Sequence, residues 1–278
     1  MADRLFIFGL GYSAGRLADR LRGEGWAVEA TGSAGTVGFG DEAAVRAAIG
    51  RASHILSSVP PDAASGGDPG LVRYGADIAA APAGWIGYLS STGVYGDTGG
   101  AWVDESAPVG TGRRQARAEA DLAWQALRGD VRVFRLPGIY GPGRSALDRL
   151  KAGRARRVDL PGQVFSRIHV DDIVSGVVAG FDGPPGVYNL SDDLPCHQNR
   201  VIEAAAELLK IAPPPVRSMD DAALSEQARG FYAENRRVAS GRARRLLGWR
   251  PAYPDYRAGL RACMAALSGD PAGARSGD

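Results

Sequence analysis

The chain has 278 residues, of which 45% are hydrophobic and 23% are charged, as is usual for a globular protein with a full core. Its formal net charge of +2 gives no strong attraction to nucleic acid or to an anionic membrane, so neither is an expected partner. Cys196 and Cys263 stand in unlike contexts and share no ligand spacing with the histidines, so we expect free thiols and no metal site. With no signal-peptide pattern and no apolar run of membrane-spanning length, the sequence predicts a cytoplasmic protein.

A short apolar run at residues 5–8 predicts a strand, and glycines at positions 9, 11 and 15 then lead into a helical pattern. In such a unit Gly9 permits the turn, Gly11 lets the backbone approach a pyrophosphate, and Ala14 and Gly15 let the helix pack near the strand. The helix N-terminus adds unpaired N–H groups and a positive dipole end. The pattern predicts a dinucleotide site rather than a purely structural turn, formed by Gly9, Gly11, Tyr12, Ser13, Ala14 and Gly15.

The second predicted strand, residues 26–31, ends without an acidic residue. Glu29 lies in mid-strand and is expected to face solvent or a neighbour, while the hydroxyls of Thr31 and Ser33 follow the strand. An acid at this strand end usually binds the ribose hydroxyls of NAD, whereas a basic residue there favours the 2′-phosphate of NADP. We therefore expect NADP as the cofactor, with NAD as the alternative and Arg16 as a further contact to the phosphate.

Strands and helices then alternate along the chain. Strands are predicted at residues 53–59 and 85–90, and helices at 41–49 and 69–81, the second one starting at Asp68-Pro69. This alternation predicts a doubly wound parallel sheet with helices on both faces and a ligand site at the carboxyl ends of the strands. Ser58 and Pro60, at the carboxyl end of the third strand, are therefore expected at the cofactor.

Residues 89–96, with the sequence Leu-Ser-Ser-Thr-Gly-Val-Tyr-Gly, place three hydroxyl side chains where a strand leaves the sheet. Together with the glycine loop, this stretch resembles the extended branch of the short-chain dehydrogenase/reductase superfamily, which contains the sugar-nucleotide epimerases and dehydratases. Further stretches resemble the same family at residues 104–108, 133–144, 167–173, 187–193 and 242–251. The resemblance covers nearly the whole chain and implies an NAD(P)-binding Rossmann fold with a smaller, interleaved C-terminal substrate region.

The resemblance implies a core at residues 1–140, to which 164–190 return, a substrate region at 141–163 and 191–268, and a disordered tail at 269–278. In the substrate region we predict helices at 199–210, 220–228 and 256–267, another helix capped by Ser240, and a segment 231–238 that folds back over the cleft. A homodimer through the helix at 113–128 and its neighbour is a further implication.

Oxidoreductases of this family place Tyr-x-x-x-Lys on the helix after the Asp-Glu loop, where the lysine and the cofactor lower the tyrosine pKa. In this chain Thr111 stands at the tyrosine position and Gln115 at the lysine position. No tyrosine of the chain has a lysine four residues later, since Lys151 and Lys210 are its only lysines. The usual dyad is therefore absent. The resemblance still implies an NAD(P)-dependent oxidoreductase or epimerase that acts by hydride transfer with another proton donor, with a non-catalytic NADP(H)-binding sensor or regulatory protein as the alternative and a scaffold as a third option.

The resemblance suggests other candidates for chemistry. Ser91 matches the family's catalytic hydroxyl, with a structural strand-end role as the alternative, and Tyr95 and Tyr140 either reach the cleft or pack in the core. His169 either acts as an acid or base or makes a structural hydrogen bond. Pro137 and Gly138 are expected beside the nicotinamide. The expected ligands for an anionic group of the unknown small-molecule substrate are Arg144, Arg167 and Arg236, with Arg113 and Arg114 as further possibilities.

Overall fold

The computed structural model describes residues 3–62, 67–112, 115–222 and 224–268. Arg113, Arg114 and the segment 269–278, which was expected to be disordered, lie outside the described residues. The strands are β1 (Arg4–Phe8), β2 (Ala27–Ala30), β3 (His54–Ser57), β4 (Trp85–Ser91), β5 (Trp102–Val103), β6 (Val131–Leu136), β7 (Gly138–Tyr140), β8 (Arg157–Val158), β9 (Arg167–His169), β10 (Gly186–Asn189), β11 (Val216–Arg217) and β12 (Arg237–Val238). The helices are α1 (Tyr12–Gly23), α2 (Glu42–Arg51), α3 (Pro69–Ala79), α4 (Gln115–Leu127), α5 (Ala146–Lys151), α6 (Val170–Ala179), α7 (Gln198–Leu208), α8 (Glu226–Tyr232), α9 (Gly241–Leu246) and α10 (Tyr256–Ser268).

Six strands form one parallel sheet in the order β10-β6-β4-β3-β1-β2. The predicted doubly wound α/β fold is therefore confirmed. Residues 5–8 of β1 are almost fully buried, which explains the continuous apolar run, since both faces of a parallel sheet are covered by helices. Because all six strands run the same way, their carboxyl ends share one edge of the sheet.

Each face of the sheet has its own core. On one face α1 and α6 pack their apolar sides, with Leu17, Leu21 and Ile173 buried, and Trp249 from the C-terminal region joins them. On the other face α2, α3 and α4 contribute a second core, in which Trp124 stacks on Tyr88 at 5.3 Å between ring centroids.

A third core lies beside the sheet and is built by α5, α7 and α10. It buries Leu147, Val201 and Leu260 together with both cysteines, Cys196 and Cys263. Both cysteines are free, as predicted. This core supports one wall of the site described below.

Two details of the C-terminal region differ from the sequence prediction. The helix expected at 220–228 lies instead at Glu226–Tyr232, because the Ser218 hydroxyl accepts the Asp221 N–H at 3.1 Å and closes a turn over 218–221. Ser240 occupies the N-cap position of α9 but makes no capping hydrogen bond with its side chain. Within the described ranges, no helix combines the length and the apolar character needed to cross a membrane.

Candidate active site

A cleft of about 1170 Å³ opens at the carboxyl ends of the sheet strands. Its walls come from the turns after β1 and β3, from the ends of β4 and β6, and from the elements of the C-terminal region. The segment 231–238 contributes Phe231, Tyr232 and Arg236 to it, in agreement with the predicted fold-back over the cleft. Of the site residues predicted from the sequence, those that line the cleft are Gly11, Tyr12, Ser13, Ala14, Ser58, Pro60, Ser91, Pro137, Gly138, Tyr140, Arg144, Arg167 and Arg236.

Gly9 holds the turn between β1 and α1 in the conformation that the sequence pattern predicts. Its φ is +83°, and a Cβ atom there would lie 2.9 Å from Cγ2 of Val59. The Gly9 N–H donates to the Thr31 hydroxyl at 3.0 Å, and the Gly9 carbonyl accepts from the Ser58 hydroxyl. Gly9 therefore shapes the loop from below and is not itself part of the cleft lining.

The N-terminus of α1 is open toward the cleft. Gly11 stands at the N-cap position without a capping side chain, and a Cβ atom on Gly11 would meet no atom within 4 Å. By contrast, Asp41 and Asp68 close the N-termini of α2 and α3 with their carboxylates. An uncapped helix start leaves backbone N–H groups and the positive end of the dipole for an anion, so this site fits a pyrophosphate.

Gly15, the third glycine of the pattern, does not have the packing role that the sequence predicts. A Cβ atom on Gly15 would meet nothing within 4 Å, so Gly15 is not needed for close packing of α1 against the sheet. The neighbouring Ala14 is 1% exposed and makes that packing contact instead. Gly15 also lies outside the cleft lining.

The cofactor contacts predicted at the carboxyl end of β2 differ in whether their side chains are buried or exposed. Thr31 is 1% exposed and its hydroxyl accepts the Gly9 N–H, so its side chain supports the glycine loop and does not face a ligand. Ser33 is exposed beside that loop, outside the cleft lining. Glu29 pairs with Arg51, with 2.7 Å between Oε2 and Nε, which confirms that it faces a neighbour. Arg16 pairs with Asp171 at 2.6 Å.

Ser91 ends β4 and lines the cleft. Its hydroxyl oxygen accepts the Gly93 N–H at 3.1 Å and caps the short 3-10 turn Thr92–Tyr95. This contact fixes the direction of the side chain and uses the oxygen as an acceptor only. The hydroxyl proton makes no hydrogen bond to any other residue in the described part of the chain, so Ser91 retains a donor for a ligand.

Tyr95 lies away from the cleft, in the core. Its hydroxyl donates to Oδ1 of Asn189 at 2.8 Å and accepts from Nη1 of Arg135 at 3.0 Å, and it is 2% exposed. Burial raises its pKa, although the Arg135 charge acts in the opposite direction. The catalytic role predicted for Tyr95 therefore has no support in the geometry, because its hydroxyl already donates one hydrogen bond and accepts another inside the protein.

Tyr140 is 8% exposed and does line the cleft. Burial raises the pKa of Tyr140, so its hydroxyl is a neutral donor near neutral pH. Its ring meets His169 edge-on at 5.3 Å between centroids. His169 itself is 1% exposed, lies outside the cleft lining, and uses Nδ1 to accept the Asp171 N–H at 3.2 Å as the N-cap of α6. This geometry supports the structural reading of His169 rather than acid–base chemistry.

Thr111 and Gln115, which the sequence analysis expects at the tyrosine and lysine positions of the resembled family, lie at the start of α4. Thr111 precedes the helix, is exposed, and its hydroxyl donates to the Tyr95 carbonyl at 3.0 Å. Gln115 is the first residue of α4 and lines the cleft. Neither side chain is an acid or a base near neutral pH, so this part of the cleft offers no activated phenol.

The three arginines predicted to bind substrate make different contacts. Arg144 lies over the ring of Tyr12, with 5.6 Å from its Cζ to the centroid. Arg167 is 6% exposed and donates to the carbonyls of Phe165 and Cys196 and to Oε1 of Gln198. Arg236 donates to the Gly96 carbonyl at 2.6 Å and to Oε2 of Glu234 at 2.9 Å. Arg144 is thus the most available of the three, and Arg236 is the one neutralised by a carboxylate.

Four further arginines line the cleft that the sequence analysis did not single out: Arg117, Arg149, Arg154 and Arg156. Among the described lining residues, Glu234 is the sole acid. The cleft is therefore strongly positive, although the whole chain carries only +2. The sequence signal for this was the basic composition of residues 144–157, which folds as α5 and the following loop over the cleft.

No group of three or more histidine, cysteine, aspartate or glutamate side chains within the described ranges could hold a metal ion.

No family model matches this sequence. A solved structure of a functionally unknown conserved protein from Silicibacter pomeroyi is 43% identical to this chain, covers 95% of it and 99% of that protein, and superposes with a TM-score of 0.84. The structure of dTDP-glucose 4,6-dehydratase from Bacillus anthracis in complex with NAD is 15% identical over 98% of each chain, with a TM-score of 0.76, and shares the fold.

A curated relative is the 3-diazoavenalumate denitrifying reductase of a Streptomyces species, which is 34% identical over 158 residues. The match spans 52% of this chain and 51% of that reductase, so this chain spans about half the length of the curated relative. The chain thus belongs to one family with the Silicibacter pomeroyi protein, and it shares its fold with solved structures of a UDP-glucose 4-epimerase and a dTDP-glucose 4,6-dehydratase.

Proposed function

We propose that this protein is an NAD(P)-dependent oxidoreductase that acts on a small anionic molecule. The observation that carries the proposal is the uncapped N-terminus of α1, where Gly11 faces an arginine-lined cleft with open space above it. The relatives support the general part of this proposal, which is a nicotinamide dinucleotide cofactor and an oxidoreductase or epimerase-like role.

The residues present fit such a cofactor. The backbone N–H groups at the start of α1, near Gly11, Ser13 and Ala14, would hold the pyrophosphate, and Pro137 and Gly138 would flank the nicotinamide. When bound, the nicotinamide supplies or accepts a hydride. NADP is proposed over NAD because no carboxylate ends β2 and the Ser33 hydroxyl is exposed there, although the dehydratase of the same fold was solved with NAD.

The chain's own residues would orient the substrate. Ser91 presents a hydroxyl proton whose direction is fixed by the Gly93 N–H, so it would donate a hydrogen bond to a polar atom of the substrate. Tyr140 adds a second neutral hydroxyl in the same cleft, with only a long 3.5 Å contact to the Asp255 carbonyl. Both are positioned donors, and neither is activated as a base.

This arrangement favours a particular kind of hydride acceptor. Reduction of a carbonyl creates an alkoxide that needs a proton, which the Tyr–Lys pair normally supplies. With Thr111 and Gln115 at those positions, the cleft suits an acceptor that develops no oxyanion in the hydride step. The curated Streptomyces relative, whose name describes reduction of a diazo compound, supports this direction.

A titration of the purified protein with NADPH and NADH tests the proposal directly. We expect nicotinamide fluorescence and thermal stability to report micromolar binding of NADPH and weaker binding of NADH. If neither nucleotide binds, the protein is a scaffold with this fold and the proposal is wrong.

A second candidate function is a non-catalytic NADP(H) sensor. The replacement of the tyrosine and lysine positions by Thr111 and Gln115 favours it. NADPH oxidation against diazo acceptors, with quinones and enoates added as acceptors that do develop an oxyanion, discriminates the two functions, with Ser91→Ala as the comparison. Turnover that falls in Ser91→Ala while NADPH affinity stays supports the enzyme, and no turnover with any acceptor supports the sensor.

The cytoplasmic location and the homodimer stay predictions. For the dimer, the helices α3 and α4 contact each other and expose the apolar side chains of Val72 and Leu122, which are 65% and 50% exposed. Light scattering of the purified protein, compared with a Leu122→Glu variant, tests whether two copies associate through this surface.

A further inference from the structure

Arg149 is a cation in the cleft with no partner of its own. It lies on α5 and lines the cleft, and its guanidinium makes no hydrogen bond or ion pair to any described residue. The adjacent Asp148 makes no ion pair with it, since that carboxylate accepts from the Ser145 N–H and hydroxyl in a capping box, although its charge raises the pKa of Arg149 somewhat.

Other positive charges surround this guanidinium. Burial lowers the pKa of Arg149, and the charges of Arg167 and Arg144 lower it further. Arg167 donates to carbonyl oxygens and a thiol and makes no ion pair with the nearby buried Asp192, and Arg144 faces a tyrosine ring. Three like charges thus meet in one part of the cleft, and a bound anion would relieve their mutual repulsion.

Part of the same cleft lining is apolar and aromatic. It includes Val201 and Ile202 of α7, Leu260 of α10, and the rings of Phe165 and Tyr232, which meet edge-on at 5.4 Å between centroids. A ligand rich in hydroxyl groups needs hydrogen-bond partners for each of them when it is buried. Among the described lining residues, the amide and carboxylate side chains are limited to Gln115, Gln198 and Glu234, and Glu234 already accepts from Arg236. Of the hydroxyl side chains in the lining, those of Ser58, Ser90 and Ser166 already make hydrogen bonds inside the protein.

We propose that the substrate is a small carboxylate with a flat, apolar body, and that Arg149 binds its carboxylate while Arg144 and Arg167 complete the positive field. The proposal rests on the proposed function, since it assigns the substrate half of the same cleft. It distinguishes this protein from the sugar-nucleotide enzymes that share its fold. Tyr232, whose ring lies in this apolar part of the lining, would pack against the body of the ligand.

Calorimetric titration tests the proposal, first with NADPH alone and then with cinnamate, benzoate and hexanoate on both the NADPH-saturated and the cofactor-free protein. Each acid is compared with its neutral amide, and UDP-glucose is titrated as a sugar nucleotide. We expect at least one carboxylate to bind at least tenfold more tightly than its amide. In Arg149→Gln this affinity falls at least tenfold, because a charge-assisted hydrogen bond is lost, while NADPH affinity is unchanged.

Arg261→Gln is the matched control, since Arg261 is exposed on α10, lies outside the cleft lining and carries the same charge. It should bind the carboxylate as the unaltered protein does. The proposal is overturned if no acid binds more tightly than its amide, if Arg149→Gln changes nothing, or if UDP-glucose binds more tightly than all three acids. Failure of the NADPH titration alone would instead count against the proposed function.

Discussion

Asp121 and Arg135 form a bidentate ion pair beneath the cleft, with 2.7 Å between Oδ1 and Nη2 and 3.0 Å between Oδ2 and Nε. Their side chains are 0% and 3% exposed, so the pair lies entirely within the protein. It joins α4 to β6, and the Ser90 hydroxyl also donates to Asp121. Because Ser90 directly precedes Ser91, the network anchors the strand end that brings Ser91 to the cleft.

Replacing Asp121 with asparagine should destabilise the fold strongly. The substitution leaves the Arg135 charge buried without its counter-charge, which costs about 3–5 kcal/mol in comparable buried pairs. The free energy of unfolding in urea, followed by circular dichroism, measures it. Glu24→Gln is the control, because its pair with Arg20 is exposed and worth about 0.5 kcal/mol or less. Equal effects of the two substitutions would contradict the argument.

His169 should make the protein less stable in mild acid. Burial lowers its pKa to about 4, and Nδ1 must stay unprotonated to accept the Asp171 N–H. Because the folded pKa is below the unfolded value of about 6.5, the stabilisation is complete above that pH and is lost as the pH falls toward 4. His169→Asn keeps a capping acceptor and does not titrate. We expect the stability advantage of the native protein over this variant to shrink by about 2 kcal/mol between pH 7 and pH 5 in urea unfolding. A difference that is constant with pH would show that His169 does not titrate this way.

Asp192 should make the protein less stable as the pH rises, which is opposite to the effect of His169. Its carboxylate is buried, and neither oxygen makes a hydrogen bond of standard length and angle to a described residue. Burial raises its pKa to about 7, although the nearby Arg167 charge lowers it. A raised carboxyl pKa means that the folded state prefers the protonated form, so stability is highest below the unfolded pKa of about 3.9 and falls as the pH rises toward 7.

The neutral Asp192→Asn variant removes this titration. Relative to the native protein, its free energy of unfolding should increase by about 2–3 kcal/mol between pH 5 and pH 8. Urea unfolding at several pH values measures the difference, and Asp193→Asn serves as control because that neighbouring carboxylate is exposed and paired with Arg244. A variant that loses stability relative to the native protein as the pH rises would refute the assignment.

The fold could be predicted from the sequence because its signals are local. The apolar run of β1, the glycine turn and the caps Asp41 and Asp68 each depend on a few neighbouring residues, and the structure places them as predicted. The side-chain directions at the site depend on distant contacts and could not be predicted in the same way. Tyr95 was expected near the chemistry, but Asn189, which is 94 residues later in the chain, holds its hydroxyl in the core.

The arginines illustrate the same limit. The sequence predicted Arg167 as a substrate ligand, but its guanidinium donates hydrogen bonds to Phe165, Cys196 and Gln198. Arg149, one basic residue among many in a basic stretch, lines the cleft and makes no side-chain hydrogen bond or ion pair to a described residue. Its place in the cleft follows from the packing of α5 against α7 and α10, and that packing has no local sequence signature.

Substitutions of Gly11, the N-cap of α1, and of Gly15, inside that helix, should separate cofactor binding from folding. A Cβ atom on Gly11 meets nothing in the protein and its φ of −86° suits any residue, so Gly11→Ala should fold normally. The added methyl group would stand where the pyrophosphate approaches the helix, so NADPH affinity should fall at least tenfold. Gly15→Ala is the matched control, because it adds the same methyl group one helical turn away and outside the cleft lining. It should raise the free energy of unfolding by about 0.5–1 kcal/mol, since alanine favours a helix interior, and leave NADPH affinity unchanged. Fluorescence titration and urea unfolding of both variants measure the two effects, and equal loss of affinity in both would place the pyrophosphate elsewhere than at the N-terminus of α1.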